Sequence, residues 1–229
     1  MIAPRRLGIL GGTFDPIHFG HLDAADAARR ALQLDRVLLI PSFDPPHRPA
    51  DPMASGFHRF GLVALAIQGY DALSASDMEL TRTGRSYTAD TLRAVAHEGW
   101  RPSQIFFILG SDAFAEIATW REYPAVLDTA NFVVIARPGT TLDDAVERTS
   151  ALRGRLRSPG QETSGASGTS IFLVEARTHV VSSSTIRARL AARQPIDDLV
   201  PAAVARHIAA HHLYGAVDDL HGQDTAISK

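Results

Sequence analysis

Two histidines three residues apart, His18 and His21, close the run GGTFDPIHFGH at residues 11–21, which follows a short apolar stretch at residues 7–10. An apolar strand, a glycine turn and a helix start, in that order, suit the holding of a nucleotide's phosphates. Gly11 and Gly12 open backbone angles closed to other residues and let the main chain approach an anion. Thr13 and Phe14 continue the loop, Pro16 stiffens it, and Gly20 leaves room just before a helix expected over residues 20–33. That helix has an alanine-rich interior (Ala24, Ala25, Ala27, Ala28, Ala31) and needs no unusual help to form. Its first N–H groups and positive dipole end point beyond the strand tip, where His18 and His21 add two side-chain donors.

A zinc pair and a purely structural pair are the alternatives for histidines at this spacing. The chain has no cysteine, and the nearest carboxylate, Asp15, could as easily cap the turn, so no metal site is expected. Gly110-Ser111-Asp112 repeats the strand–turn–helix pattern, with Asp112 either a helix N-terminal carboxylate favoured by the dipole or an acceptor for a ligand. Ser182, Ser183 and Ser184 are an N-cap cluster for a helix that carries Ile186, Arg187 and Arg189. Capping and function are compatible there: spare N–H groups, hydroxyls and Arg187 make a second anion cradle, while Arg189 fits a solvated helix face. Trp120 is open between a core position and a surface on which a planar ring stacks.

GGTFDPIHFGH resembles the HxGH signature of the nucleotidyltransferase superfamily, and in this form the bacterial nicotinate-mononucleotide adenylyltransferases. VSSSTIR at residues 181–187 resembles the second signature of that family, usually close to ISSTxIR, with Ser184 where threonine is usual. The resemblance covers about residues 7–214, apart from about 140–169. It implies transfer of AMP from ATP to nicotinate mononucleotide, giving nicotinate adenine dinucleotide and pyrophosphate in NAD biosynthesis. It implies that His18, His21 and Arg187 are catalytic, and that ATP contacts Gly11, Gly12, Thr13, Phe14, Gly110, Asp112, Ser183, Ser184 and Ile186 as well. Asp112 would receive the ribose hydroxyls. For the mononucleotide it implies Asp15, the loop pair His47 and Arg48, the Ser86-Tyr87-Thr88 element, Trp120 and Arg137. Thr88 and nearby N–H groups would read the nicotinate carboxylate from a pocket that presents donors only. Magnesium is expected to arrive with ATP, held mainly by phosphates and water. Rival readings are transfer to another phosphorylated acceptor (nicotinamide mononucleotide, phosphopantetheine or glycerol phosphate) and a nucleotide sensor without turnover.

Strands expected at residues 6–10, 36–40, 73–78, 104–109, 132–136 and 171–174 alternate with helices at 20–33, 57–68, 88–98, 111–118, 183–192 and 201–212. That alternation predicts an α/β fold: a three-layer, Rossmann-like open parallel sheet with helices on both faces and ligands at the carboxyl ends of the strands. One domain is expected over residues 1–215. The proline-rich residues 41–55 are expected as a loop over the site, residues 142–156 as a surface helix, and the Gly/Ser-rich 158–170 as part of a flexible surface insertion near 140–170. The polar tail 216–229 is expected to be disordered.

Composition narrows the function further. With 229 residues, 45% of them apolar, the chain can bury one α/β core, and a formal charge of −2 disfavours extended binding to nucleic acid. No run approaches the roughly 20 apolar residues of a membrane span, and the start lacks a signal-peptide core, so a cytoplasmic location is expected. Lys229 is the only lysine. P-loop and Schiff-base chemistry are thereby excluded, and a cationic phosphate clamp must be built from arginine. ATP and nicotinate mononucleotide are the expected small-molecule partners; the sequence is silent on oligomeric state.

Overall fold

Alternation along each strand decides which face of the sheet a side chain serves. Leu10, Val37, Leu39, Ile108, Val133, Ile135, Phe172 and Val174 fill one core, whereas Leu7, Ile9, Ile40, Phe107, Leu109, Phe132, Val134 and Ile171 fill the other. Strands buried on both faces read as the continuous apolar runs seen in the sequence. The structure, a computed structural model, describes residues 5–46, 51–136, 150–161 and 168–216.

The strands are β1 (Leu7–Gly12), β2 (Arg36–Pro41), β3 (Leu73–Ala75), β4 (Ile105–Gly110), β5 (Asn131–Ala136), β6 (Leu156–Arg157) and β7 (Ile171–Glu175). They form one sheet in the order β3-β2-β1-β4-β5-β7-β6, with every pairing parallel. Leu7 pairs with Arg36 on one side and Ile105 on the other. The order of the strands therefore reverses between β1 and β4. Four helices, α1 (Phe19–Leu32), α2 (Gly56–Ala66), α5 (Ser183–Ala191) and α6 (Ala202–Ala210), pack on the first core. On the second lie α3 (Thr88–His97) and α4 (Ser111–Ala115), completing the expected three layers.

Several boundaries differ from expectation for local reasons. β3 stops at Ala75, not residue 78, because Leu80 and Thr81 donate to the Asp77 carbonyl and turn the chain away. The helix expected at 111–118 stops at Ala115 and tightens to a 3-10 turn at Ile117–Thr119. The expected insertion is partly stitched in. Ser150–Arg155 is a 3-10 turn, not part of an α-helix; Leu152 is buried, Arg155 donates to Leu127 O and bonds Asp128, and Leu156–Arg157 pairs with β7. Thr169 and Ser170 are likewise buried. Residues 140–149, 162–167 and 217–229, with the expectations that fall on them, lie outside the described residues. Among the described residues no helix is long and apolar enough to cross a membrane.

On the first face α2 packs against α6. There His207 sits beside His211 and His58, and burial together with those two neighbours holds its imidazole below the ordinary range.

Candidate active site

β1 ends at Gly12, and the chain then makes an irregular turn to His18, whose extended backbone (φ −151°, ψ 171°) caps α1. Neither Gly11 nor Gly12 has a positive φ, so the conformational reason expected for them does not apply. The left-handed backbone falls instead to Phe14, at φ 49°, a conformation that costs a bulky residue free energy and that packing must impose. Its ring is fully buried, and a Cβ on Gly12 would lie 3.2 Å from it. Gly20 is needed for the reason expected: a Cβ there would come within 3.0 Å of His179 O.

The two imidazoles are stacked, centroids 3.7 Å apart at 21°, and the Phe14 ring meets His21 edge-on at 4.9 Å. His18 N–H donates to His21 Nδ1 at 3.3 Å. An acceptor at Nδ1 places the proton of the neutral His21 ring on Nε2.

This loop is braced from behind by Arg59 and Tyr214, which the sequence did not single out, and by Ser183, which it did. Arg59, 2% exposed, donates from Nη1 to Thr13 O at 2.8 Å and Ser42 O at 2.7 Å, and from Nε to Ala54 O at 3.1 Å. Tyr214 donates its hydroxyl to Asp15 Oδ1 at 2.8 Å, and burial beside that carboxylate pushes the phenol well above its ordinary range. Ser183 Oγ donates to Pro16 O at 2.8 Å. A signal for Arg59 was present. Arg59, Leu62, Val63 and Ala66 form the buried stripe of α2 at i, i+3, i+4 and i+7, so the helix period alone turns this arginine inward.

The same geometry gives four of the expected residues structural roles. Asp15, expected to bind the mononucleotide, is 2% exposed, and its oxygens accept from Met53 N–H, Ala54 N–H and the Tyr214 hydroxyl. Phe14 and Ile186, expected to contact ATP, place their side chains in the core. Arg187 Nη1 donates to Asp15 O at 2.6 Å and Nη2 to Ser184 Oγ at 3.3 Å, so its fork braces the loop at the edge of the serine cluster. His47, Arg48 and Arg137 lie outside the described residues.

The remaining expected residues do come together. A cleft of about 470 Å³ opens at the carboxyl ends of β1 and β4, where the strand order reverses, a size suited to small-molecule binding. Gly11, Gly12, Thr13, His18, His21, Gly110, Asp112 and Ser182–Ser184 all line it. Ser182 caps α5 by accepting from Thr185 N–H at 3.1 Å, which leaves Ser184 at the cleft surface. Thr88, the first residue of α3, and Trp120 line the far end. Trp120 is half-buried, edge-on to Phe107 at 6.0 Å, and so takes part in both packing and lining. Tyr87 sits in an adjoining shallow hollow beneath the Arg121 guanidinium.

One lining group runs against the expectation of donors only. Glu79 is buried in the cleft wall near Thr88; Thr91 Oγ1 donates to its Oε1, and burial pushes its carboxyl above the usual carboxylate range. The fold thus favours the protonated form. Its contribution to stability is present in full below the ordinary carboxylate pKa and is lost as pH rises through the raised value. Glu79→Gln, which keeps an acceptor for Thr91, is expected to lose that slope. Denaturant midpoints of parent and variant, compared from the acid side of the carboxylate range to neutrality, should diverge in favour of the variant; parallel curves would contradict a raised Glu79.

Residues 9–189 match the cytidylyltransferase-like family. A Symbiobacterium thermophilum protein named a probable nicotinate-nucleotide adenylyltransferase is 40% identical over 211 residues, covering 91% of this chain and 95% of its own. A Pseudomonas aeruginosa protein of the same name is 37% identical over 212 residues, covering 93% and 98%. Among solved structures, Plasmodium falciparum nicotinic acid mononucleotide adenylyltransferase complexed with NaAD superposes with a TM-score of 0.70 at 18% identity, covering 92% of this chain and 98% of that one. At that identity the likeness is one of fold.

Proposed function

The chain belongs to the cytidylyltransferase-like family, and from that premise we propose that it is a nicotinate-nucleotide adenylyltransferase, joining ATP and nicotinate mononucleotide into nicotinate adenine dinucleotide with release of pyrophosphate. The observation that carries this reading is the convergence of two helix starts, His18–His21 on α1 and Ser182–Ser184 on α5, upon one cleft at the switch point of the sheet. Imidazoles at one helix start and serine hydroxyls at the other, gathered on one cleft, suit a polyphosphate.

The phosphate of the mononucleotide attacks the α-phosphorus of ATP in line; a new P–O bond forms, the bond to the β-phosphate breaks, and pyrophosphate leaves. The attacking monoester has a second pKa of about 6, so it needs no general base near neutral pH. Catalysis is positioning and charge stabilisation. His21 Nε2 and the His18 ring steady the charge that shifts towards pyrophosphate, and Arg187 acts as a positioning residue through Asp15 O and Ser184. Asp112 accepts from ribose hydroxyls, and the pyridine ring stacks on Trp120. Among the described residues the cleft holds no cluster of three histidines or carboxylates able to cage a cation. That donor set fits magnesium carried in on the triphosphate, where it would neutralise phosphate charge.

A pyrophosphate-release assay with ATP and a panel of phosphorylated acceptors tests the assignment; no release with either pyridine mononucleotide sinks it. With nicotinate and nicotinamide mononucleotides competing at equal concentration, the acid is expected to win by roughly tenfold to more than a hundredfold, because its carboxylate gains charge-assisted bonds at Thr88 that the neutral amide does not. Thr88→Val should narrow that ratio, and Trp120→Ala should raise KM for both. Predominant formation of NAD would move the acceptor to the nicotinamide form and leave adenylyl transfer intact.

A further inference from the structure

Outside the cleft, α2 and α6 bring three imidazoles together. His207 and His211 stand one turn apart on α6, the second capping its C-terminus, and His58 reaches them from the first turn of α2. His58 Nδ1 lies 3.1 Å from His207 Nε2, and the ring centroids of His207 and His211 are 4.3 Å apart. One ring nitrogen from each histidine lies within 4.8 Å of the other two. Gly61, one turn beyond His58, sets no side chain against the His207 ring; a Cβ there would lie 3.9 Å from its Cε1, so the ring has room to turn.

We propose that His58, His207 and His211 form a binding site for a divalent first-row transition ion, typified by zinc, that clips α2 to α6. Tetrahedral zinc with Zn–N bonds of about 2.0–2.1 Å separates its nitrogen ligands by about 3.3 Å. The His58–His207 pair is already near that spacing, and His211 closes the set by rotation of an exposed ring. Three imidazoles without a carboxylate select zinc, copper(II), nickel or cobalt over magnesium or calcium, which prefer oxygen. The half-exposed position leaves the fourth ligand to water. His58 directly precedes Arg59, and Tyr214 follows His211 by three residues, so the clip ties together the two elements that brace the loop at Asp15.

Untagged, chelator-treated full-length protein titrated with zinc chloride in a calorimeter is expected to bind one ion per chain at this site. His58→Gln, His207→Gln and His211→Gln should each weaken binding at least tenfold, and the same site should persist when His18 and His21 are both replaced. Zinc should raise the thermal midpoint of the parent and leave that of His211→Gln, an exposed position that keeps the fold, unmoved. Absence of saturable binding to the parent, or unchanged affinity in any of the three variants, overturns the site.

Discussion

Alanine in place of His21 is expected to lower kcat by about 10²–10³-fold with little change in the KM for ATP, the usual consequence of losing a preorganised donor aimed at charge that develops in the transition state. Ser183, Ser184 and the rest of the cleft wall remain to bind the triphosphate, so ground-state affinity survives. His18→Ala should fall in the same range. Because the His18 ring is buried and stacked on His21, its variant also needs a thermal midpoint to separate chemistry from packing. Initial rates of pyrophosphate release at saturating ATP are the measurement; near-parental turnover in both variants would remove the pair from the reaction.

Arg59→Met carries the largest expected loss of stability. The arginine satisfies three carbonyls at once, Thr13 O, Ser42 O and Ala54 O, in a region closed to water. Methionine fills much of the volume and supplies no donor. Breaking a buried charged network in this way costs about 3–5 kcal/mol. For a domain of this size that corresponds to a fall in thermal midpoint of roughly 6–20 °C. Arg59→Lys, with one compact charge in place of a fork, should lie between variant and parent. A midpoint for Arg59→Met within a degree or two of the parent would mean that the loop is held by other contacts.

Features encoded by short-range pattern were legible in the sequence. Apolar runs located six of the seven strands, and β6 escaped because a two-residue edge strand leaves no periodic trace. The phosphate loop and the facing serine cluster announced themselves through residue type at strand ends. What the sequence did not show depends on partners distant in the chain. Asp15 sits among candidate ligands in the sequence, yet its role is set by Ala54, 39 residues on, and Tyr214, 199 residues on. Arg187 resembles a phosphate clamp until its fork is seen to end on Asp15 O. Arg59 and the His207–His211 pair lay within reach of helix periodicity, but His58, 149 residues before His207, supplies the meaning of the second.

The long reach of those contacts bears on how the chain is made. His18 and Tyr214 lie far apart in the chain, and at a synthesis rate of about 5–20 residues per second roughly 10–40 s pass between them on the ribosome. Once Gly110 has been made, β1, β2 and β4 can already pair, because their register needs nothing beyond it. The histidine loop cannot yet be set: Ser183, Arg187 and Tyr214, which fasten Pro16 and Asp15, are still unmade. A nascent chain that stops short of Tyr214 can therefore pair these three strands while its histidine loop is still unfastened.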